Sequence, residues 1–221
     1  MKSVIGAPAR RLFLGLCGLL VFLLFMHGRI VVIDKLWQRE LYRFFDLNGE
    51  GNFPAWVSGS LLLLTSGLAF LNYHLISFRK RGRNRWGWLA LAVLFLFLSS
   101  DEVSGIHESL TYITGIKWVY LYFPGFVFVM ISFIFLLRDA EGIQRKNLIL
   151  VFAGLLFFAG GGLLLEWVYY RFGAPGILDR FKFRLEEGLE LFGAILSITG
   201  MFDLTSRLLK KDRAFLKSGI L

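Results

Sequence analysis

Seven carboxylates and two imidazoles fall where this chain reads as crossing lipid. The segment "SSDEVSGIHESL", Ser99 to Leu110, closes the apolar run "WGWLALAVLFLFL" and brings Asp101, Glu102, His107 and Glu108. A second run, "AGGGLLLEWVYY", ends with Glu166, and "RLEEGLELFGAILS" opens a third with Glu186, Glu187 and Glu190. His27 closes the first apolar run. An ionisable side chain at membrane depth must face a bundle interior or a water-filled space, and is a functional group by default.

On one uninterrupted helix, Asp101, Ser104, Gly105 and Glu108 share a stripe, with Glu102 and His107 on its flanks and Val103, Ile106 and Leu110 opposite. Glu186, Glu187 and Glu190 occupy one sector of another helix, continued by Gly193 and Ser197, and Glu166 stands over Ala159 and Gly162. Small residues in line with acids predict a seam where helices approach closely. At 1.5 Å per residue from the inner ends of their helices, Asp101 rises roughly 22 Å, His27 roughly 24 Å, Glu190 roughly 25 Å, Glu166 roughly 27 Å, Glu186 roughly 31 Å and Glu108 roughly 33 Å. All fall in one slab. His74 and Asp203 lie near the other face, where Asp203 is expected to pair with Arg207 one turn on.

So many acids cannot all be ionised together without a counter-charge, because like charges at short range oppose one another. Three arrangements resolve this. A metal is the first. Carboxylates with one or two histidines suit a dinuclear iron or manganese site in a helical bundle. The Glu-x-x-His spacing is missing, however, since Glu102 and His107 are five residues apart. A hard ion such as calcium or magnesium needs only the oxygens. The expected ligands are Asp101, His107, Glu108, Glu166 and Glu190, with Glu102, Glu186, Glu187 and His27 as outer supports or proton carriers. The ligand types do not separate Fe, Mn, Ca, Mg and Zn. Shared protons are the second arrangement, giving a proton- or cation-coupled transporter, although neither a broken helix nor an inverted repeat is visible. The third is pairing with Arg29, Lys117, Arg171, Arg180, Lys182 and Arg184, which suits an accessory or structural subunit of a larger membrane complex.

The stretch "DLNGEGN" adds a weaker candidate. Asp46, Asn48, Glu50 and Gly51 match positions 1, 3, 5 and 6 of a calcium-binding loop, but the twelfth position is Val57 instead of a bidentate Glu. A glycine-rich turn before Pro54 is the favoured reading, with Asp46, Asn48 and Glu50 folding over the acids as a lid.

The elements that must hold these groups are membrane spans. The chain has 221 residues, 56% of them hydrophobic, with 24 Phe and a mean hydropathy of +0.63. Several runs reach the ~20 residues that cross about 30 Å of hydrocarbon. Six spans are expected, at about 12–33, 54–78, 86–110, 117–137, 147–170 and 185–206, forming one all-α transmembrane domain over 1–221. Lys2, Arg10 and Arg11 before "LFLGLCGLLVFLLFM" imitate a signal peptide, but no small-residue cleavage site follows, so this is read as the first span. With six spans, sixteen of the 25 Lys and Arg residues share a side with both termini and nine lie opposite. This bias predicts an inner-membrane protein with both termini cytoplasmic and the acids near the periplasmic side. Trp37, Trp56, Trp118, Tyr120, Tyr122, Trp167, Tyr169 and Tyr170 are expected as an outer aromatic belt, and Trp86 and Trp88 as the inner one. The first outer loop, 34–53, contains "DKLWQRELYRFF", which fits either an interfacial amphipathic helix or one packed over the bundle.

The net charge of +9 is spread between apolar runs, so lipid rather than nucleic acid is the expected partner. Cys17 is alone and cannot form an intrachain disulfide. No phosphate-binding loop, nucleophile elbow or haem attachment site is present.

"DLNGEGNFPAWVSG", "LSSDEVSGIHESL" and "EEGLELFG" together resemble segments shared by a group of uncharacterised bacterial polytopic membrane proteins, with Gly59 standing where a second serine is expected. The resemblance implies that Asp101, Glu102, His107, Glu108, Glu187 and Glu190 belong together, and it implies no activity. The expectation from the residues is a metal site, with metal-dependent chemistry on a membrane-borne substrate as its catalytic form.

Overall fold

A computed structural model describes residues 5–29, 40–41, 43–47, 49, 51–77, 85–140, 142–172 and 177–217. The described residues form helices and no strand. They are α1 (Ala7–Arg29), α2 (Phe53–Ser77), α3 (Arg85–Ser104), α4 (Ile106–Thr114), α5 (Trp118–Asp139), α6 (Gly142–Ala159), a π-helical turn (Gly160–Leu165), α7 (Glu166–Phe172) and α8 (Ile177–Lys217). Six segments among them are long and apolar enough to cross a membrane: Ala7–His27, Phe53–Ile76, Trp86–Ser104, Trp118–Arg138, Gln144–Phe172 and Arg184–Lys211. The chain is an all-helical, multi-pass membrane protein in contact with lipid.

Local sequence explains where helices start and stop. Asn52 precedes α2, and its Oδ1 accepts the Ala55 backbone N–H at 3.2 Å. Pro54 in the same first turn lacks an N–H that would have had no partner there. The third span differs from expectation. It stops at Ser104 instead of continuing to Leu110, because Gly105 takes a left-handed conformation (φ 59°) and α4 starts in a new direction. Only glycine enters that region cheaply. The fifth span runs on from Gln144 to Phe172 but widens to a π-helical turn over "GGGLLL". The expectation of an unbroken helix therefore fails at Gly105, and both the break there and the π turn fall beside the acids. At its other end α4 stops at Gly115, again left-handed (φ 68°).

α8 is the centre of the bundle. In its apolar window 72% of residues are buried, against 11% in α1 and 17% in α5, which are peripheral. It runs past the expected 185–206 at both ends, for 41 residues, or roughly 60 Å, about twice the hydrocarbon thickness. The core joins Trp88, Phe95, Phe133, Leu62, Ile195 and Met201, all nearly inaccessible. Trp88 thus leaves the inner belt for the core, while Trp86 is exposed.

The α6–α8 seam has its expected small residues. A Cβ on Gly193 would stand 2.5 Å from the Gly154 carbonyl oxygen and 2.6 Å from the Phe158 nitrogen; one on Gly200 would stand 2.9 Å from the Asn147 carbonyl oxygen. Only hydrogen at these Cα atoms lets the backbones meet. Gly59 plays the same part against α3: the Ser99 hydroxyl donates to its carbonyl at 2.7 Å, and an added Cβ would meet Val103 at 2.6 Å. At the end bearing both helix termini, Asp203 accepts from the Gly6 N–H at 3.0 Å and from Arg207 at 2.8 Å, which realises the expected Asp203–Arg207 pair.

Of the 34–53 loop, Glu40 and Leu41 and then Arg43 to Phe45 are helical; Lys35, Leu36, Trp37 and Arg39 lie outside the described residues. Phe45 packs edge-on against Phe22 of α1 and Phe53 of α2, and Phe44 stacks on Phe53 at 5.3 Å. This part of the loop is fastened to the bundle.

Candidate functional site

The break at Gly105 builds the first half of the site. Gly105 has no side chain to cap α4, so Asp101, one turn earlier, does this work. Its Oδ1 accepts the His107 backbone N–H at 2.8 Å, satisfying a donor left open at a helix start. The same oxygen lies 3.3 Å from His107 Nδ1 and accepts the Tyr122 hydroxyl at 3.2 Å. Trp118 packs on both the His107 ring (4.9 Å) and the Tyr122 ring (5.5 Å), and its backbone N–H donates to Thr111 Oγ1 at 3.0 Å. Asp101 is buried and its conformation is fixed from three directions.

The π-helical turn builds the second half. A Cβ on Gly161 would meet the Glu186 carbonyl oxygen at 2.6 Å and Glu190 Cγ at 2.9 Å, and one on Gly162 would meet Glu190 Oε1 at 2.5 Å. The two glycines open the space in which the Glu190 side chain lies. Turns of this kind are rare and recur at functional sites.

Between the halves, carboxylate oxygens of Glu102 (α3), Glu187 and Glu190 (α8) lie within 4.8 Å of one another. Glu190 also feels the charges of Glu186 and Asp101. The cluster opens on a cavity of about 800 Å³. Asp101, Glu102, His107, Glu108 and Glu166 line it, as do Glu186, Glu187 and Glu190. The structure thus brings the acids of the third, fifth and sixth spans to one cavity. It brings Glu102 and Glu187, expected as outer supports, closest to Glu190. Asp101 and His107 pair with each other; Glu108 is exposed at the rim, and Glu166 begins α7 just past the π turn.

His27 is not among the lining residues. Its Nδ1 accepts the Leu47 N–H at 3.2 Å and lies 3.8 Å from Asp46 Oδ1. Asp46 therefore faces α1 instead of a calcium cage. The segment is a turn tied by Asn52, whose Nδ2 donates to the Asp46 and Gly49 carbonyls, each at 2.5 Å. Leu47 and Gly49 line the cavity; of the residues expected as a lid, Asp46 is not among the lining residues, and Asn48 and Glu50 lie outside the described residues. Among the expected basic partners, Lys117 lines the cavity with its Nζ 5.2 Å over the Tyr170 ring, Arg171 is exposed, and Arg184 interacts electrostatically with His27. The side chains of Arg29, Arg180 and Lys182 lie outside the described residues.

Sequence reasoning missed the parts played by Tyr122, Trp118 and Gly161. Both aromatics read as belt residues, yet they are four apart on α5 and so share a face, which was the available signal. A family profile described as a domain of unknown function, DUF8692, matches residues 8–205, and the chain belongs to that family. No curated protein and no solved structure matches the chain.

Proposed function

We propose that this DUF8692 protein binds a divalent cation through Glu102, Glu187 and Glu190, beside a cavity that admits a membrane-borne molecule. One observation carries the reading: three carboxylate oxygens from two helices lie within 4.8 Å of one another. Oxygens held about 2.3–2.6 Å from a shared ion can be no more than about 5 Å apart, so the spacing is what a common ion requires. The donor set is all oxygen, which suits magnesium, calcium or manganese. Asp101, His107, Glu108 and Glu166 line the same cavity and complete the proposed set as further ligands or proton carriers. In the catalytic form of this reading, the ion supplies Lewis-acid chemistry and these groups hold or move protons. By the distribution of Lys and Arg, the protein sits in a bacterial inner membrane with both termini cytoplasmic and the acids toward the periplasm.

The break at Gly105 favours a second reading, ion passage, since transporters place broken helices at their ion sites. Below the cavity, however, Leu91, Phe95, Leu148 and Val151 are buried in a continuous apolar core. Binding without passage fits that packing better.

Elemental analysis and manganese titration of the purified protein test the proposal. Near-stoichiometric metal is expected in wild type, and its loss in Glu187→Gln and Glu190→Gln. Metal-free wild type, or full retention in Glu187→Gln, would overturn it.

A further inference from the structure

Residues 106–123, which are α4 and the outer turns of α5, border the carboxylate end of the cavity. His107, Thr111, Lys117, Trp118 and Tyr122 from this stretch line it. A Cβ on Gly162 would meet both Glu190 Oε1 and the Trp118 ring, so Trp118 stands beside the acids. The other face of the stretch is bare: Tyr112 is 91% exposed and Ile113 76%. α4 has no buried residue, and Val119 is the one buried side chain from 106 to 123. Segments that bury so little apolar surface open at low free energy. Farther along α5 the packing changes. Phe133 and Leu136 are buried in the core, and Phe133 packs on Phe152 at 5.3 Å.

The stretch is jointed at both ends. At one, the left-handed Gly105 separates α3 from α4. At the other, Pro124 stands inside α5. It lacks the N–H that would bond the Tyr120 carbonyl, and its ring crowds that carbonyl, so the helix bends most easily there. Gly125 follows, and a Cβ on it would meet nothing within 4 Å, which leaves the backbone room to turn. A few residues of this kind at element ends are what a hinge needs.

One side chain fastens both limbs. Asp101 belongs to α3, outside the stretch. Its Oδ1 accepts the His107 backbone N–H from α4 at 2.8 Å and the Tyr122 hydroxyl from α5 at 3.2 Å. The limbs are tied to each other by Trp118, whose backbone N–H donates to Thr111 Oγ1 and whose ring packs on His107. They form one piece, and Asp101 holds it against the bundle.

We infer that residues 106–123 are a hinged cap over the acids, turning about Gly105 and the Pro124 and Gly125 pair and latched through Asp101. Its opening bares the carboxylate end of the cavity and admits a molecule too large for the closed rim. The inference does not depend on the cation reading.

Pulsed electron paramagnetic resonance tests it on the full chain in nanodiscs, in a Cys17→Ala background with chelator present. One spin-label pair joins cap to bundle, at Tyr112→Cys and Trp56→Cys. A control pair lies wholly outside the cap, at Trp56→Cys and Leu164→Cys; all three sites are exposed. The first pair should show a main distance and a minor longer one. Asp101→Ala, which frees both limbs, should raise the longer fraction roughly tenfold, and Tyr122→Phe, which frees one, about threefold. Tyr122→Phe keeps the bond that caps α4, so it decides the case should Asp101→Ala fail to fold. Pro124→Ala returns the missing N–H and should lower the longer fraction about threefold. An unchanged distribution in Tyr122→Phe, equal movement of the control pair, or no effect of Pro124→Ala would overturn the inference. Chelator keeps every sample metal-free, so a failure of the metal reading leaves this result untouched.

Discussion

At residue 203, α8 buries a single acid and closes a set of donors around it: the Gly6 N–H, and the Arg207 guanidinium one turn on. Its neighbours follow the same pattern. The Thr205 hydroxyl lies within reach of Asn72 Oδ1 (2.9 Å) and the Met201 carbonyl (2.8 Å), and Asn72 Nδ2 contacts the Met201 sulfur at 3.9 Å. Farther up the same helix, Glu187 and Glu190 meet Glu102 across an open cavity, with two more acids in electrostatic reach of Glu190. One end uses polarity to fix the fold. The other gathers acids from α3 and α8 at one cavity wall, the arrangement that the proposed cation would bridge. The glycines divide in the same way. Gly193 and Gly200 admit backbone, and Gly162 admits a carboxylate side chain.

The largest effects should come from the glycines. Gly193→Ala places a methyl group against the Gly154 and Phe158 backbones, where no flexible side chain can yield. A loss of about 1–3 kcal/mol or more is expected, read as a fall in thermal midpoint and in recovered folded protein. Gly162→Ala is tight only against Glu190 Oε1, at 2.5 Å, with the Trp118 ring at an ordinary 3.5 Å. It should leave the midpoint within a few degrees while displacing that carboxylate, lowering manganese affinity about tenfold. If both variants unfold alike, the distinction between the two ends fails.

Next come the acids, where the two ends should differ in sign. Asp203→Asn weakens the bond to Arg207 and the acceptor for Gly6, and should cost roughly 1–3 kcal/mol. Glu190→Gln removes a like charge from Glu186 and Glu187, four and three residues away. It should stabilise the metal-free protein by a few tenths of a kcal/mol, with the gain shrinking in high salt. Differential scanning fluorimetry with chelator, at low and high salt, checks both. Destabilisation by Glu190→Gln under these conditions would mark it as a structural residue like Asp203.

The closed end was the more legible in sequence. Asp203 and Arg207 are one turn apart on an unbroken helix, so helical spacing alone predicts their bond. The small residues Gly193 and Ser197 likewise marked their seam, because a regular helix keeps its faces in register over many turns. At the open end that regularity fails twice. A lone glycine in a helical pattern does not announce that it will turn left-handed, so Gly105 was read as continuing the helix. With the helix stopped there, Ser104 is exposed and Glu108 moves to the rim instead of sharing a stripe with Asp101. The π turn over Gly160–Leu165 inserts an extra residue per turn and shifts Glu166 from the face a straight helix would give it. Which acids converge was therefore readable as a slab. The grouping of Glu102 with Glu187 and Glu190 was not, because it depends on two departures from the regular helix.

Two hydroxyls, one at each end, give the narrowest comparison. Thr205→Val keeps the side-chain shape and removes the group beside Asn72 Oδ1, which is inaccessible to water in the core. The buried amide oxygen loses its donor, at an expected cost of about 1–2 kcal/mol. Tyr122→Phe removes a donor to Asp101 Oδ1, but that oxygen keeps the His107 backbone N–H at 2.8 Å and borders a cavity wide enough for water. Water can replace the lost hydroxyl, so the expected loss is under about 1 kcal/mol. Chemical denaturation of the two variants side by side reads the difference. A Tyr122→Phe loss as large as that of Thr205→Val would mean that the Asp101 environment is as closed as the core around Asn72, and that the acids do not border a wet space.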